Sequence, residues 1–394
     1  MIRRWLPCAA AITVVAGGTT PLVALAEPAN CAGDGTTDDA DCISSYFERS
    51  SVVELVAGAT YRVTRPVVVH AGREVDGHGA TILGEGPLLS VLVIDGSDIR
   101  VDSIRIVTHA ASNHAVAINI AARAKHVSVT HSRFEGPTSV AALNINAPDV
   151  EDVTFDDNTV SDGIYGVLTN WQAMRLRHVQ IAHNQMFALS GDGIEINFPV
   201  LVPPHGTGDA MDAPSDIHIF SNTINAPGSQ SISAGFCIGI AGAHNVEIRD
   251  NTLSQCRWQG IHIEDTAADI LIAQNTIADV IGQQPADGKN WAGFRDGILA
   301  LNSRRITVRG NILSDIPDTG IDFTFDGKTF DAGNTVCGNT LRRIGHFGIS
   351  VMAAPGQDVA TTIGPAASCP ANTIDAGEKS FRTNHPVGLM MGNR

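Results

Sequence analysis

Short segments in which apolar and polar residues alternate recur along the chain. One group ends at an asparagine, as in VEIRDN, ITVRGN and IHIFSN, and another opens with a glycine, as in DGIEIN, QGIHIED and TGIDF. Alternation with a period of two is typical of β-strands that bury one face. The pattern predicts a repeating unit of two or three short strands, with glycine and asparagine at the turns, where they adopt positive φ at little cost.

An asparagine recurs at one turn of many of these units. Successive ones are 24 to 38 residues apart and fall at Asn158, Asn184, Asn222, Asn251, Asn275, Asn311, Asn339 and Asn372. A repeat of this length indicates a solenoid. Stacking at the strand spacing of ~4.8 Å gives a parallel β-helix of about ten coils, roughly 50 Å long. We expect the asparagines to form a hydrogen-bonded ladder along the rod rather than to act in catalysis.

Three stretches near the N-terminus carry a more specific resemblance. They are GDGTTDDADCISSYF, VVELVAGATYRV and REVDGHGATIL. They resemble the entrance motif and first coils of right-handed parallel β-helix proteins of the pectate lyase superfamily, and the likeness covers roughly residues 31–385. The resemblance implies an all-β solenoid with a short N-terminal capping helix. Within that helix, Thr37 is the expected N-cap, and Ile43 and Phe47 share one face.

The superfamily contains lyases, hydrolases, epimerases and phage tailspikes, so the resemblance implies a polysaccharide partner without fixing the reaction. The expected organisation has three parts. Residues 1–26 are predicted to be a signal peptide, residues 27–60 the cap and first strand, and residues 61–394 the β-helix with a C-terminal cap. The signal is indicated by Arg3 and Arg4, the apolar run 5–25 and the small residues around position 26.

Export has consequences for the cysteines. Seven become six when Cys8 leaves with the signal, and six cysteines in an oxidising compartment indicate disulfides, with 15 possible pairings. The local pairings are predicted: Cys31–Cys42, Cys237–Cys256 and Cys337–Cys369. No later segment approaches the ~18 apolar residues of a membrane span. We therefore expect a secreted or periplasmic protein, taken as a monomer.

The net charge of the mature chain limits the classes of ligand that it can bind. The mature chain keeps 24 basic against 41 acidic residues, a net charge of −17. Nucleic acid binding depends on Lys and Arg at phosphates, so this balance argues against it. It also repels a polyanionic substrate unless a basic cluster or a bound cation intervenes.

Insertions mark the expected functional face, because the coils of a regular solenoid have equal length. Four long loops flank the glycine-opened strand, two on each side: 198–214, 225–234, 282–294 and 324–333. Two walls over one sheet make a cleft. Trp171, Trp258 and Trp291 lie beside the same sheet and suit contact with sugar rings.

The outward positions of that sheet collect ionisable side chains. The predicted catalytic residues are Asp192, Glu195, His262, Arg295, Asp296 and Asp322; the predicted substrate contacts are Asn197, Glu264, Lys289 and the three tryptophans. On neighbouring coils, the equivalent outward positions carry Leu168, Leu299 and Ser350 instead. Clustered titratable groups in one groove are typical of an active site.

Two chemistries suit this groove. Cleavage of a uronic-acid polysaccharide by β-elimination is the favoured hypothesis, with His262 as base and either Arg295 or a Ca²⁺ ion neutralising the substrate carboxylate. The candidate ligands of that ion are Asp192, Glu195, Asp296 and Asp322. Related epimerases use similar parts. The paired basic residues of recognisable lyase motifs are absent, however.

Glycoside hydrolysis is the alternative, with Asp192 and Glu195, or Asp296 and Asp322, as the carboxyl pair. The sequence lacks the paired aspartates and Gly-His-Gly of polygalacturonases at this cluster. A non-catalytic glycan-binding or adhesin-like rod is the third hypothesis, and the clustered titratable groups argue against it.

Overall fold

The computed structural model describes residues 27–28, 30–110, 115–136, 139–169, 175–197, 212–225, 235–282, 295–325, 333–354, 360–365, 370–384 and 388–389. Over these residues the chain winds into a right-handed parallel β-helix, which confirms the predicted solenoid of about ten coils. Every strand pair is parallel, and each strand bonds to its counterparts one coil before and one coil after. The predicted signal peptide lies outside the described residues, and the division at residue 60 stays a prediction.

Three sheets run the length of the rod. The first sheet has 14 strands. They are Glu27–Pro28, Val52–Glu54, Glu74–Asp76, Ile99–Asp102, Ala124–Thr130, Val150–Asp156, Arg177–Ala182, Ser215–Phe220, His244–Arg249, Ala268–Ala273, Arg304–Arg309, Asn334–Cys337, Thr361–Ile363 and Gly388–Leu389.

The second sheet has 13 strands. They are Asp34–Asp38, Thr60–Val63, Thr81–Gly86, Arg105–Ala110, Arg133–Glu135, Thr159–Ser161, Gln185–Phe187, Thr223–Asn225, Thr252–Ser254, Thr276–Ala278, Ile312–Ile316, Thr340–Ile344 and Thr373–Ala376.

The third sheet, called the site sheet below, has 12 strands. They are Val67–His70, Ser90–Asp95, Ala115–Ile120, Ser139–Ile145, Tyr165–Thr169, Ile194–Asn197, Ile238–Ala241, Ile261–Glu264, Ile298–Leu301, Ile321–Phe325, Phe347–Ala353 and Lys379–Thr383. It contains the glycine-opened strands of the sequence.

The core is a narrow apolar column inside the three sheets. Ile, Val and Leu supply most of its side chains, and residues such as Ile194, Ile240 and Ile263 on the site sheet are 0 to 1% exposed. Because strand side chains alternate between faces, the residues between these point away from the core. The apolar rungs thus fix which side chains the site sheet displays.

The predicted asparagine ladder is confirmed. Asn275 shows the pattern: its backbone N–H donates to Asn311 Oδ1 (2.9 Å), and its side-chain amide donates to Ile248 O (2.9 Å) and to Asn311 Oδ1 (3.0 Å). Equivalent bonds join buried asparagines from Asn158 to Asn372. The ladder satisfies backbone groups at a buried turn, which would be costly to leave unpaired.

The glycines that open the site strands have a steric role. A Cβ on Gly260 would lie 2.7 Å from the carbonyl oxygen of Gly297, one coil away, and 2.5 Å from the Ile277 side chain. Gly193, Gly297 and Gly320 are equally crowded. None of these four has positive φ. Close packing between coils, rather than turn geometry, therefore requires glycine here.

One helix, Ala40–Arg49, packs on the N-terminal end of the rod, with Ile43 and Phe47 fully buried as predicted. The expected N-cap was wrong. Asp39 occupies that position and makes no side-chain cap, because its carboxylate accepts the N–H groups of residues 32 and 33. Thr37 lies in the preceding strand and donates its hydroxyl to Asp34 (2.8 Å).

Two predicted disulfides are confirmed, Cys31–Cys42 and Cys237–Cys256. Cys337 is also disulfide-bonded, but Cys369, its predicted partner, lies outside the described residues. Disulfides are typical of proteins that mature outside the cytoplasm. Among the described residues, no helix is both long and apolar enough to cross a membrane.

Candidate active site

The outward residues of the site sheet form one column, in which each member lies beside the next on the following coil. In chain order it contains Leu168, Glu195, Gly239, His262, Leu299, Asp322, Ser350 and Arg382. The sequence pattern identifies six of these. It misses Gly239 because Cys237 replaces the opening glycine of that strand, and it misses Arg382 because no glycine opens the last strand. We call this row the site column.

The buried carboxyl of Asp192 adjoins Glu195 at one end of the cluster. Asp192 is 1% exposed, and one of its oxygens accepts the N–H groups of Gly235 and Phe236, both at 2.6 Å. Burial, followed by the charge of Glu195, holds the pKa of Asp192 well above its ordinary value. The raised pKa favours the protonated form of Asp192, which shares a hydrogen bond with Glu195.

Glu195 is the member of this pair that can meet a ligand, since it is only partly buried. Burial raises the pKa of Glu195 to about 7; the bond from Asp192 and the charge of His262 oppose the rise, and Glu264 adds to it. The side-chain amide of Asn197 donates to Glu195 (2.7 Å) and orients it. Asn197, predicted as a substrate contact, thus positions the carboxyl.

His262 and Glu264 lie two coils from Glu195. His262 Nε2 is 3.1 Å from a Glu264 oxygen, without the angle of a hydrogen bond, and Nδ1 has no partner among the described residues. Burial acts to raise the pKa of Glu264, but the neighbouring His262 outweighs it and keeps that pKa below its ordinary value. Glu264 is therefore an anion where Glu195 is poised to hold a proton.

An aromatic ring is carried by the coil between those of Glu195 and Glu264. Phe236 stacks on the imidazole of His262 with ring centroids 4.3 Å apart, and a Cβ on Gly239 would lie 3.1 Å from the Phe236 ring. The absent side chain of Gly239 leaves the room that Phe236 occupies. Trp258 is only 7% exposed and packs edge-on against Phe236. Phe236, which the sequence pattern misses, is the more accessible ring.

A second acidic group occupies the same sheet further along. Asp296 Oδ1 accepts the N–H of Thr319 (3.0 Å), and its other oxygen has no partner among the described residues. Burial, then the charge of Asp322, holds the pKa of Asp296 well above its ordinary value. Burial raises the pKa of Asp322 to about 6; the nearby Ser350 hydroxyl, which lacks hydrogen-bond geometry, the Thr324 hydroxyl and Arg382 oppose the rise.

Register separates the two acidic groups. Asp296 is on the coil of Leu299, three coils from Glu195, or about 14 Å at the strand spacing. A single calcium ion therefore cannot bind Asp192, Glu195 and Asp296 together; calcium at one group alone stays a prediction. Where the structure describes the chain, groups able to hold a metal lie instead on the first sheet, at Glu151–Asp152–His178 and Asp156–Asp157–His183.

Of the remaining predicted site residues, Arg295 is described by the structure and three others are not. Arg295 lies beside Asp296, where its charge lowers the pKa of that carboxyl, and its Nε has no partner among the described residues. Trp171, Lys289 and Trp291 lie outside the described residues, as do most residues of the four predicted wall loops.

Comparison with known proteins supports the fold. The family model described as "Right handed beta helix region" matches residues 210–362. No curated protein matches the sequence. DFA-IIIase from Arthrobacter chlorophenolicus A6, solved in complex with GF2, has a similar structure with a TM-score of 0.56 and 14% identity, covering 89% of this chain and 98% of that one.

Two further structures share the fold. The catalytic domain of a GH87 alpha-1,3-glucanase in complex with nigerose has a TM-score of 0.55 at 10% identity, covering 96% of this chain and 67% of that one. The A-module of a mannuronan C-5 epimerase from Azotobacter vinelandii has a TM-score of 0.51 at 12% identity, covering 91% and 98%. Identities this low establish the shared fold alone.

Proposed function

We propose that this protein is an exported enzyme that hydrolyses a glycosidic bond in a polysaccharide, with Glu195 as general acid and Glu264 as general base. One observation carries the proposal. Two carboxyls lie on one sheet, on either side of the coil that carries Phe236, and their surroundings move their pKa values in opposite directions. Such a split is how a site assigns one carboxyl to give a proton and another to accept one.

The reaction needs few parts. The proton of the Glu195 carboxyl passes to the glycosidic oxygen as the bond from that oxygen to the anomeric carbon breaks. Glu264 takes a proton from a water molecule, whose oxygen forms the new bond to the same carbon. Asp192 and Asn197 hold Glu195 in place, and His262 keeps Glu264 ionised. The phenyl ring of Phe236 offers an apolar surface to a sugar ring.

The stereochemical outcome follows from the spacing. Glu264 lies two coils from Glu195 and two residues further along its strand, which is about 12 Å between their backbones. Inverting glycosidases hold their carboxyls ~6.5–9.5 Å apart to admit water, and retaining ones ~5–5.5 Å. We therefore expect inversion at the anomeric carbon. Two proteins of similar fold add support: an alpha-1,3-glucanase, an enzyme that cleaves a glycan, and DFA-IIIase.

The test is to incubate the mature protein with neutral and acidic polysaccharides and record reducing ends, ultraviolet absorbance and the anomer first released. Reducing ends without absorbance, with an inverted anomer, are expected. Retention of configuration would contradict the roles of Glu195 and Glu264. Neither signal on any glycan, with binding intact, would favour the non-catalytic rod.

β-Elimination at a uronic acid is the second candidate, because of one observation. The Nδ1 of His262 is buried without a partner and could serve as base, with Arg295 to neutralise the substrate carboxylate. Absorbance rising together with reducing ends would establish this reaction. Its loss in chelator would add a calcium ion to the site.

A further inference from the structure

The second acidic group, Asp296 and Asp322, takes no part in the proposed hydrolysis. Asp322, Ser350 and Arg382 lie on three successive strands of the site sheet, and Asp296 lies just before the strand that precedes them, Ile298–Leu301. These four residues are called the distal cluster here. Asp322 is two coils beyond His262, about 10 Å away at the strand spacing. Leu299 separates them in the site column and is fully buried. The distal cluster is therefore distinct from the carboxyls assigned to catalysis.

Its buried polar atoms point to a ligand. Asp296 and Ser350 are each 1% exposed, yet Asp296 Oδ2, Asp322 Oδ1 and Ser350 Oγ have no partner with hydrogen-bond geometry among the described residues. Each such atom costs ~1–3 kcal/mol if it stays unpaired. The side chains of the ladder asparagines, such as Asn275, are by contrast bonded. A bonding partner from outside would remove the cost.

The hydrogen-bond donors and acceptors of the distal cluster indicate what kind of ligand it can bind. Carboxyl oxygens accept, the Ser350 hydroxyl can do either, and the Arg382 guanidinium donates from an exposed position over the Phe347 ring, 4.9 Å from its centroid. Vicinal hydroxyls of a sugar fit such a mixture, since each both donates and accepts. A uronate would instead bring a third carboxyl beside two that already crowd one another.

Building on the proposed hydrolysis, we propose that the distal cluster binds a neutral sugar residue of the same chain whose bond is cleaved between Glu195 and Glu264. The substrate is then a neutral glycan long enough to reach both places. Shortening it removes the distal contacts and leaves the catalytic ones unchanged.

Binding is measured in the Glu195→Gln background, so that hydrolysis does not enter. The probes are α-1,3-linked gluco-oligosaccharides of increasing length, with galacturonan oligosaccharides of matched length as the acidic arm. In this background Asp322→Asn and Ser350→Ala are expected to weaken binding of the longest neutral chains at least tenfold and to leave the disaccharide unchanged. Asp315→Asn, on the second sheet and paired with Arg343, is the matched control and should change neither.

Each of the following results would overturn the proposal. Equal weakening at every length would make the distal cluster a general structural support. Tighter binding of the galacturonan series, or dependence of long-chain binding on calcium, would make it a cation or acidic-sugar site. Absence of binding by every neutral oligosaccharide would also count against it. In wild type, loss of turnover with unchanged affinity in Asp322→Asn would place Asp322 in catalysis.

The two proposals fail separately. If wild type hydrolyses nothing while the length-dependent binding holds, the distal cluster stands as a glycan site and the catalytic roles fall. If hydrolysis holds and binding shows no dependence on length, only the distal cluster is wrong. Thermal melting of each variant separates a lost contact from a lost fold.

Discussion

The outer face of the first sheet and the site sheet both display many charged residues, but they arrange them differently. On the first sheet, basic and acidic side chains of neighbouring coils pair with one another: Lys125 with Glu151, and Arg305 Nε with Asp269 Oδ1 at 2.6 Å. On the site sheet, carboxyls adjoin carboxyls, as Asp192 adjoins Glu195 and Asp296 adjoins Asp322.

This difference separates structural charges from functional ones. Exposed pairs on a solenoid surface contribute little, ~0–1 kcal/mol each, and are screened by salt. Buried carboxyls that repel one another destabilise the fold, so a sheet that keeps them must use them. The contrast, rather than the number of charges, identifies the site. Four changes test it, in order of expected effect.

The largest effect is expected from Glu195→Gln. Glutamine keeps the shape and the bond from Asn197 but cannot deliver a proton to the leaving oxygen, and general acid catalysis contributes ~10²–10⁴-fold. We expect about a thousandfold lower kcat with little change in KM, measured by reducing-end release. Asp269→Asn on the first sheet should retain full activity. A Glu195→Gln enzyme with wild-type turnover would remove Glu195 from the mechanism.

The second effect is on stability against pH. The pKa of Glu195 rises from 4.5 to about 7 on folding, so between these values the folded protein holds a proton that the unfolded chain releases. Stability therefore falls as pH rises through this window, by on the order of 3 kcal/mol, and is level above it. Urea denaturation across the window measures the slope. Glu195→Gln should flatten it; an unchanged slope would show that other groups dominate.

The third change addresses a buried polar row that is fully paired. Replacing Asn275 by alanine removes the acceptor of Asn251 N–H (3.0 Å) and the donor to Ile248 O (2.9 Å) in the core. We expect a loss of about 3 kcal/mol in unfolding free energy, since buried backbone groups are left unpaired. Chemical denaturation provides the measurement. The exposed neighbour Thr276, changed to alanine, should cost under ~0.5 kcal/mol.

The smallest effect is expected where the first sheet pairs its charges. Asp269 accepts two bonds from Arg305, at 2.6 and 2.7 Å, and both side chains are largely exposed. Asp269→Asn should lower the unfolding free energy by less than ~1 kcal/mol, and by less still at high salt. A larger loss, insensitive to salt, would mean that the charge ladder is structural in its own right and would weaken the comparison.

Sequence patterns predict this fold well because each repeat carries the same signals of strand and turn. Alternation, the recurring asparagine and the opening glycine each follow from one packing constraint repeated coil after coil. The same patterns predict which side chains of the site sheet face outward, including Glu195, His262 and Asp322. They also predict the two described disulfides, since each joins cysteines close in sequence.

The patterns fail where the repeat is broken. Cys237 takes the place of a glycine, so the outward column predicted from the sequence omits the strand Ile238–Ala241, and Glu195 is predicted one coil nearer to His262 than it is. For the same reason the sequence pattern does not predict a role for Phe236, which fills the space beside Gly239. Distances between coils and the opposite pKa shifts of Glu195 and Glu264 depend on register and burial, which alternation does not encode. The Thr37 cap fails for a local reason, since Asp34 captures its hydroxyl.

The asparagine ladder also has a direction. Each side-chain amide donates back to a carbonyl of the preceding coil, as Asn275 does to Ile248, whereas each backbone N–H donates forward to the next asparagine. A coil added at the C-terminal end therefore finds an acceptor already in place and leaves one donor open for its successor. The ladder is thus polar: the bonds that a coil makes to its predecessor differ from those it makes to its successor, so a coil cannot be inserted in reverse without breaking both sets.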